Sequence, residues 1–144
     1  MNSTAQRVQL GKELQQKLNV VKATYDFSVH GGAVGTINLD GVDGSDVIIP
    51  NGAIIVHGLI DIITAMTSTG DNGTIALNSN SAGDLKAAVD ADTLSGLVAT
   101  IPVGSAATSI KMTADRTLTV TIATNAILSG KFDLYVQYYY APTT

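Results

Sequence analysis

The chain has 144 residues, no cysteine and a formal net charge of −4, and charged residues make up only 14 % of it, against about a quarter in an ordinary soluble domain. That length bounds one core-forming domain, and the lack of cysteine excludes a disulfide framework or a thiolate metal site, so folding in a reducing cytoplasm is the simplest expectation. Through Lys22 the chain carries Arg7, Lys12, Lys17 and Lys22 against Glu13 alone, whereas the remainder sets four basic residues against eleven Asp; such an acidic body argues against nucleic acid as a partner, because phosphate binding needs clustered Lys and Arg.

The first stretch, MNSTAQRVQLGKE, lacks the apolar core of a signal peptide. Over residues 4–19, Leu10, Leu14 and Leu18 recur at steps of four among Gln, Lys and Glu, with Asn2, Ser3 or Thr4 available as a cap. This pattern predicts a short amphipathic N-terminal helix or arm, residues 1–19, ahead of a β-domain, residues 20–144. Gly11 costs such a helix about 1 kcal/mol relative to Ala, so its leucine stripe needs a surface to lie on, its own domain or a neighbouring subunit.

From Val20 the period changes to two. Val21, Ala23, Tyr25, Phe27 and Val29 fall on one side, and Val20, Lys22, Thr24, Asp26 and Ser28 on the other, which predicts a first strand. Gly31 and Gly32 interrupt it, and a second strand follows from Val34 to Leu39. The loop DGVDGSD places Asp40, Asp43 and Asp46 at steps of three. Its spacing departs from the calcium-binding EF-hand, since Val42 and Gly44 stand two and four residues after Asp40, so a plain turn is the better expectation and chelation the alternative.

The run from Val47 to Met66 is apolar but interrupted by Pro50, Asn51, Gly52, His57 and Asp61 within the roughly 20 residues that a membrane span needs, and it predicts a buried strand with a bulge at Gly58. No membrane partner is expected. TSTGDNGTIALN resembles a hairpin turning at Asn72 and Gly73. AGDLKAAVDADTLSGL has a helical flavour through Leu85, Ala88 and Val89, and LVATIPV and TSIKMT read as short strands.

The most regular stretch is the last. Thr117, Thr119 and Thr121 alternate with Leu118, Val120 and Ile122; after TNAILSG, the residues Phe132, Leu134, Val136, Tyr138 and Tyr140 alternate with Asp133, Tyr135, Gln137 and Tyr139. Two such strands, paired, would form the spine of an antiparallel sheet. With eight or more strands and no repeated βαβ pattern, the expected fold is mainly β, an antiparallel β-sandwich of the jelly-roll kind.

Catalytic signatures are sparse. His30 and His57 lack the neighbouring His and Glu of a cupin metal site, Glu13 is the only glutamate, and no G-x-S-x-G elbow or phosphate-binding glycine loop occurs. His57 is expected to be a core or interface histidine, with Asp61 on the same face as its partner. No enzyme activity, metal or cofactor is expected. Tyr135 and Tyr139, outward on the last strand, suit a subunit contact better than sugar stacking, and the uncharged outward residues of both terminal strands form the candidate surface for self-association.

The run DRTLTVTIATNAILSGKFDLYVQYY, preceded by IIPNGAIIVHGLIDIIT, resembles the small β-sandwich virion proteins of tailed bacteriophages, particularly capsid decoration or cement proteins, in strand layout and composition over roughly residues 20–140. The resemblance implies a homotrimer on the outer capsid surface, with the major capsid protein as partner, and an N-terminal anchor. Leu10, Leu14 and Leu18 are then candidates for docking or subunit exchange, and Tyr135 and Tyr139 for contacts between protomers. The alternative class is a carbohydrate- or receptor-binding β-sandwich module of a phage fibre or adhesin.

Overall fold

The computed structural model describes residues 18–140, in which the chain forms strands β1 (Leu18–Asp26), β2 (Gly35–Asn38), β3 (Ile48–Ile49), β4 (Ile54–Ser68), β5 (Thr74–Asn78) and β6 (Lys86–Asp90). Strands β7 (Leu97–Val103), β8 (Ile110–Lys111), β9 (Arg116–Thr117), β10 (Thr119–Ala123) and β11 (Ile127–Tyr139) complete it. They build a larger sheet in the order β1-β11-β4-β7, with β8 appended to β4, and a smaller sheet in the order β2-β10-β5-β6; β3 pairs separately with β9. Every pairing is antiparallel. The mainly-β antiparallel sandwich expected from the alternation is the fold observed.

Alternation explains why the core closes. The larger sheet turns Tyr25, Ile60, Phe132, Leu134 and Val136 inward, the smaller sheet turns Ile75, Leu77, Val120 and Ile122 inward, and all join one buried cluster. Each such side chain contributes about 1.5–3 kcal/mol by leaving water. Tyr25 stacks on Phe132 at 5.5 Å between ring centroids, and its hydroxyl donates to the Gly31 carbonyl at 2.6 Å, so the one polar atom of this large side chain is satisfied. Burial pushes the Tyr25 phenol up to about 12.

Several sequence expectations change. Leu18 and Asn19 belong to β1 rather than to a helix, and β1 ends at Asp26 instead of running to Val29. The Asp26 carboxylate accepts from the Ser28 N–H at 3.0 Å and caps one helical turn, Phe27–His30. The terminal strands β10 and β11 are not paired: β10 is central in the smaller sheet and β11 in the larger, because Thr124 takes a left-handed φ of 67° between them and the chain crosses the sandwich there. The expected hairpin at Asn72 and Gly73 is likewise a crossing from β4 to β5, turned by Gly70 and Asp71, and Asn72 has φ −139° rather than the positive value such a hairpin turn needs.

The helix-like stretch after Gly83 is instead β6 followed by a short 3-10 turn at Ala91–Thr93. Asp84 accepts from the N–H groups of Ser79, Asn80 and Ser81, which closes the preceding loop and delivers β6 alongside β5, where pairing outweighs helix propensity. Gly58 does mark an irregularity, a register shift between β4 and β7, and a Cβ there would stand 2.7 Å from the Thr100 hydroxyl. Gly130, expected to end a linker, sits within β11 at φ +129° among register shifts against β4. Finally, β4 is half-buried rather than buried, since its exposed positions alternate with Ile55, Ile60 and Met66.

Candidate functional site

The outward face of the larger sheet carries the chain's main unexplained feature. Cross-strand register sets its side chains in rows: Leu18, Tyr139 and Ile54; then Val20, Gln137, His57 and Val103; then Lys22, Tyr135, Leu59 and Ala99; then Thr24, Asp133, Asp61 and Leu97. Val20 is 58 % exposed, Val103 54 % and Leu97 69 %, so apolar area that could have been core lies open to water. The first three rows hold one formal charge, Lys22, at the strand edge. Large exposed apolar patches are unusual on free monomers, which makes this face the candidate contact surface.

The structure brings three of the five expected interface residues together: Leu18 pairs directly with Tyr139, and Tyr135 lies on the same face between Lys22 and Leu59. Leu10 and Leu14 fall outside the described residues. Sequence reasoning missed Val20, Ile54, Leu59, Leu97 and Val103; Val20 had the outward parity of β1, whereas in the apolar β4 and β7 runs alternation alone cannot assign core or surface, and a register shift puts even-numbered Ile54 on the same face as odd-numbered Leu59. Tyr138 and Tyr140 pack partly buried against the core, as their parity predicts, and burial raises the Tyr138 phenol above its ordinary value.

The threonines of β10 are not part of that face. Thr119 and Thr121 lie on the outside of the smaller sheet, so the single surface expected from both terminal strands is two surfaces on opposite sides of the sandwich. On this second face the polar groups satisfy one another. Asn78 donates through its amide to Thr119 Oγ1 at 2.9 Å and Thr121 Oγ1 at 3.0 Å, and Thr36 and Thr121 share a hydroxyl bond at 3.1 Å.

The histidines and aspartates resolve into structural roles. His57 is exposed on the apolar face rather than buried, and among the described residues no hydrogen bond or ion pair joins it to Asp61; Gln137 and Asp133 are their register partners, with Leu59 between them. His30 is the partnered histidine. Its Nδ1 lies 3.0 Å from the Asp26 backbone nitrogen and 3.1 Å from the Asp26 carbonyl oxygen, its Nε2 lies 2.9 Å from Asp40 Oδ2, and the ring stacks on Tyr25. Both nitrogens are engaged, so this ring pins the helical turn to the following loop and has no lone pair free to activate a nucleophile.

The three loop aspartates diverge. Asp40 takes His30, Asp46 accepts from Asn38 at 3.1 Å, and Asp43 accepts from the Ser45 N–H and hydroxyl, whose bonds hold its carboxyl below the usual range. This is turn chemistry, and among the described residues no three His, Asp or Glu side chains converge to hold a metal ion. No helix among them is long and apolar enough to cross a membrane. A groove of about 580 Å³ runs along the outer edge of β1, walled by that strand and by the Gly41–Ile48 loop.

Fold and surface together define a two-sheet antiparallel β-sandwich whose larger sheet leaves apolar side chains open on its outer face. No protein-family profile and no curated protein matches the chain. Its fold is shared with solved chains: one from the acidic stable capsid structure of Helicobacter pylori bacteriophage KHP30 superposes at a TM-score of 0.59, with 13 % identity over 87 % of this chain and 89 % of that one. A chain of the cyanophage Pam1 capsid asymmetric unit gives 0.58 at 19 % identity, covering 85 % and 84 %, and one from the capsid of Ralstonia phage GP4 gives 0.54 at 19 %, covering 87 % and 86 %.

Proposed function

We propose that the chain is a structural component of a tailed-phage virion, a decoration or cement protein that binds the outer capsid surface and stabilises the shell, with the major capsid protein and further copies of itself, as a trimer, for partners. The observation that carries this is the apolar outward face of the larger sheet, borne on a fold shared with chains in three phage capsid structures. Those chains are of this chain's own size, since each overlap spans nearly the same share of both, as suits an accessory subunit of one sandwich domain. The strand orders β1-β11-β4-β7 and β2-β10-β5-β6, with the chain crossing between the sheets after β1, between β4 and β5, between β6 and β7 and between β10 and β11, support the jelly-roll form of the sandwich.

Such a protein works by mass action. Its contact area exists only in the assembled lattice, so each bound copy lowers the free energy of the closed shell and not of its dissociated subunits. Tyr135, Tyr139 and Leu18 supply the aromatic and apolar centre of that contact, and Leu10 and Leu14 of the segment before β1 add docking area. The test is to prepare particles with and without the chain. Co-purification at fixed stoichiometry, density on the outer shell and genome release at lower temperature without it are expected; absence from purified particles would overturn the virion reading, and presence without any change in shell stability would remove the cement role.

A further inference from the structure

The outward face of the larger sheet is laid out so that a copy of itself fits over it. Strand β11 runs between β1 and β4. When two copies pack face to face about a two-fold axis along β11, β1 of each lies over β4 of the other and each row meets the same row of its partner. The angle of about 30° usual between aligned sheets shifts neighbouring strands by less than one row, so this matching survives it. Tyr135 and Gln137 then meet their own counterparts near the axis, and His57 of one copy lies over Val20 of the other. Leu97 and Val103, on β7, lie over the loop that borders β1, where Val42 and Ile48 are exposed.

The charges of the face are complementary in the same arrangement. Its first three rows hold one formal charge, Lys22 on β1, and the next row holds Asp61 on β4. With β1 over β4, Lys22 of one copy stands a single row step, about 6.8 Å, from Asp61 of the other, and its four-carbon side chain spans that step. The symmetry makes the pair twice. Among the described residues neither Lys22 nor Asp61 has an ion-pair partner. Asp133, beside Asp61, is 9 % exposed and takes the Thr24 hydroxyl at 2.7 Å, so Asp61 is the more open carboxylate of the two.

The area suffices as well. Four strands about 4.8 Å apart and four rows about 6.8 Å apart cover roughly 500 Å² on each copy, so a pair buries about 1,000 Å², the extent that a specific contact needs. We propose that this face pairs two copies of the chain about a two-fold axis, with Lys22 of each opposite Asp61 of the other. The inference rests on the reading of this face as a contact surface, and it is separate from any three-fold contact between copies.

The test is a charge swap in the full-length protein, read as self-association by sedimentation velocity at low salt, where ionic contacts are least screened. Lys22→Asp and Asp61→Lys should each weaken association at least tenfold, because like charges then face each other across the contact. An equimolar mixture of the two variants should associate as the parent does, since each substituted side chain meets its opposite charge in the other variant. Lys22→Glu with Asp61→Arg repeats the experiment if either variant melts below the parent. A mixture no better associated than its components overturns the two-fold pairing. The Leu97→Asp/Val103→Asp variant tells that failure from failure of the underlying reading. If it abolishes association while the swap does not rescue, the face is a contact surface paired in another way; if it associates as the parent does, the face is not the contact. A parent that binds particles through this face but stays monomeric alone gives the face to the capsid protein and overturns the pairing.

Discussion

The two outer faces of the sandwich are made of the same kind of strand and do opposite things with it. On the smaller sheet, Thr36, Asn78, Thr119 and Thr121 spend their hydroxyls and amide on one another, so the face is finished as it stands. On the larger sheet, Val20, Leu97 and Val103 are open and have no polar atoms to pair. Low charge is common to both and therefore does not mark a contact surface by itself. What distinguishes the larger sheet's face is apolar area left without cover, whereas the smaller sheet's neutral face closes its hydrogen bonds internally.

The strongest test separates face from core along a single strand. Phe132 and Tyr135 lie three residues apart on β11, one inward and fully buried, the other outward. Phe132→Ala should destabilise the fold by about 3–5 kcal/mol in chemical denaturation, because it leaves a cavity beneath Tyr25. Tyr135→Ala should cost a small fraction of that in the same titration and show itself in weakened association. Comparable losses would mean that the outward face is packed as core and not held in reserve.

Next comes a charge placed on each face. Leu97→Asp with Val103→Asp should leave stability within about 0.5 kcal/mol of the parent, as surface changes do, yet lower self-association or particle binding at least tenfold by burying unpaired carboxylates. Ala88→Asp on the smaller sheet is the matched control and should leave binding as it was. If both variants bind equally well, the contact face has been misassigned.

The smaller sheet makes the converse prediction. Asn78→Ala deletes two side-chain bonds to Thr119 and Thr121 and leaves the Gly83 N–H without its 2.7 Å acceptor. A loss of about 0.5–1.5 kcal/mol is expected by thermal or chemical melting, with no change in association. A binding defect in this variant would give the polar face a role that its internal hydrogen bonding argues against.

How much of this was legible beforehand follows from what alternation can encode. Period two fixed which residues of β1, β10 and β11 face inward, and it placed Tyr135 and Tyr139 outward. It does not say which sheet a strand joins. That choice lay in single turn residues, Thr124 between β10 and β11 and Gly70 with Asp71 between β4 and β5, whose left-handed backbones carry the chain across the sandwich where a hairpin was expected. The apolar run of β4 misled for a related reason. A strand with isoleucine on both sides reads as buried on both, and only the register against β7 and β11 leaves Ile54 and Leu59 facing out among tyrosines. Helical propensity after Gly83 lost to Asp84, whose carboxylate gathers three backbone N–H groups, a bond pattern that composition cannot display.

The smallest expected effect acts on neither face but on the crossings that hold them apart. Asp26 ends β1 and accepts from Ser28; Asp43 lies in the loop after β2 and accepts from Ser45; Asp92 accepts from the hydroxyl and N–H of Ser68, where β4 ends. These hydrogen bonds, the serine hydroxyls first, hold all three carboxyls below their ordinary value. A carboxyl lowered in the folded state stabilises the fold above its unfolded pKa, and the contribution fades as pH falls through the folded one, so the window lies below about pH 4. Melting temperature should therefore fall between pH 5 and pH 2. Ser68→Ala removes the largest cause at Asp92, so its deficit against the parent at neutral pH should shrink in that window. A deficit that stays constant with pH would show that Ser68 matters only through the bond it accepts from the Gly73 N–H, and that the crossing is held by neutral hydrogen bonds alone.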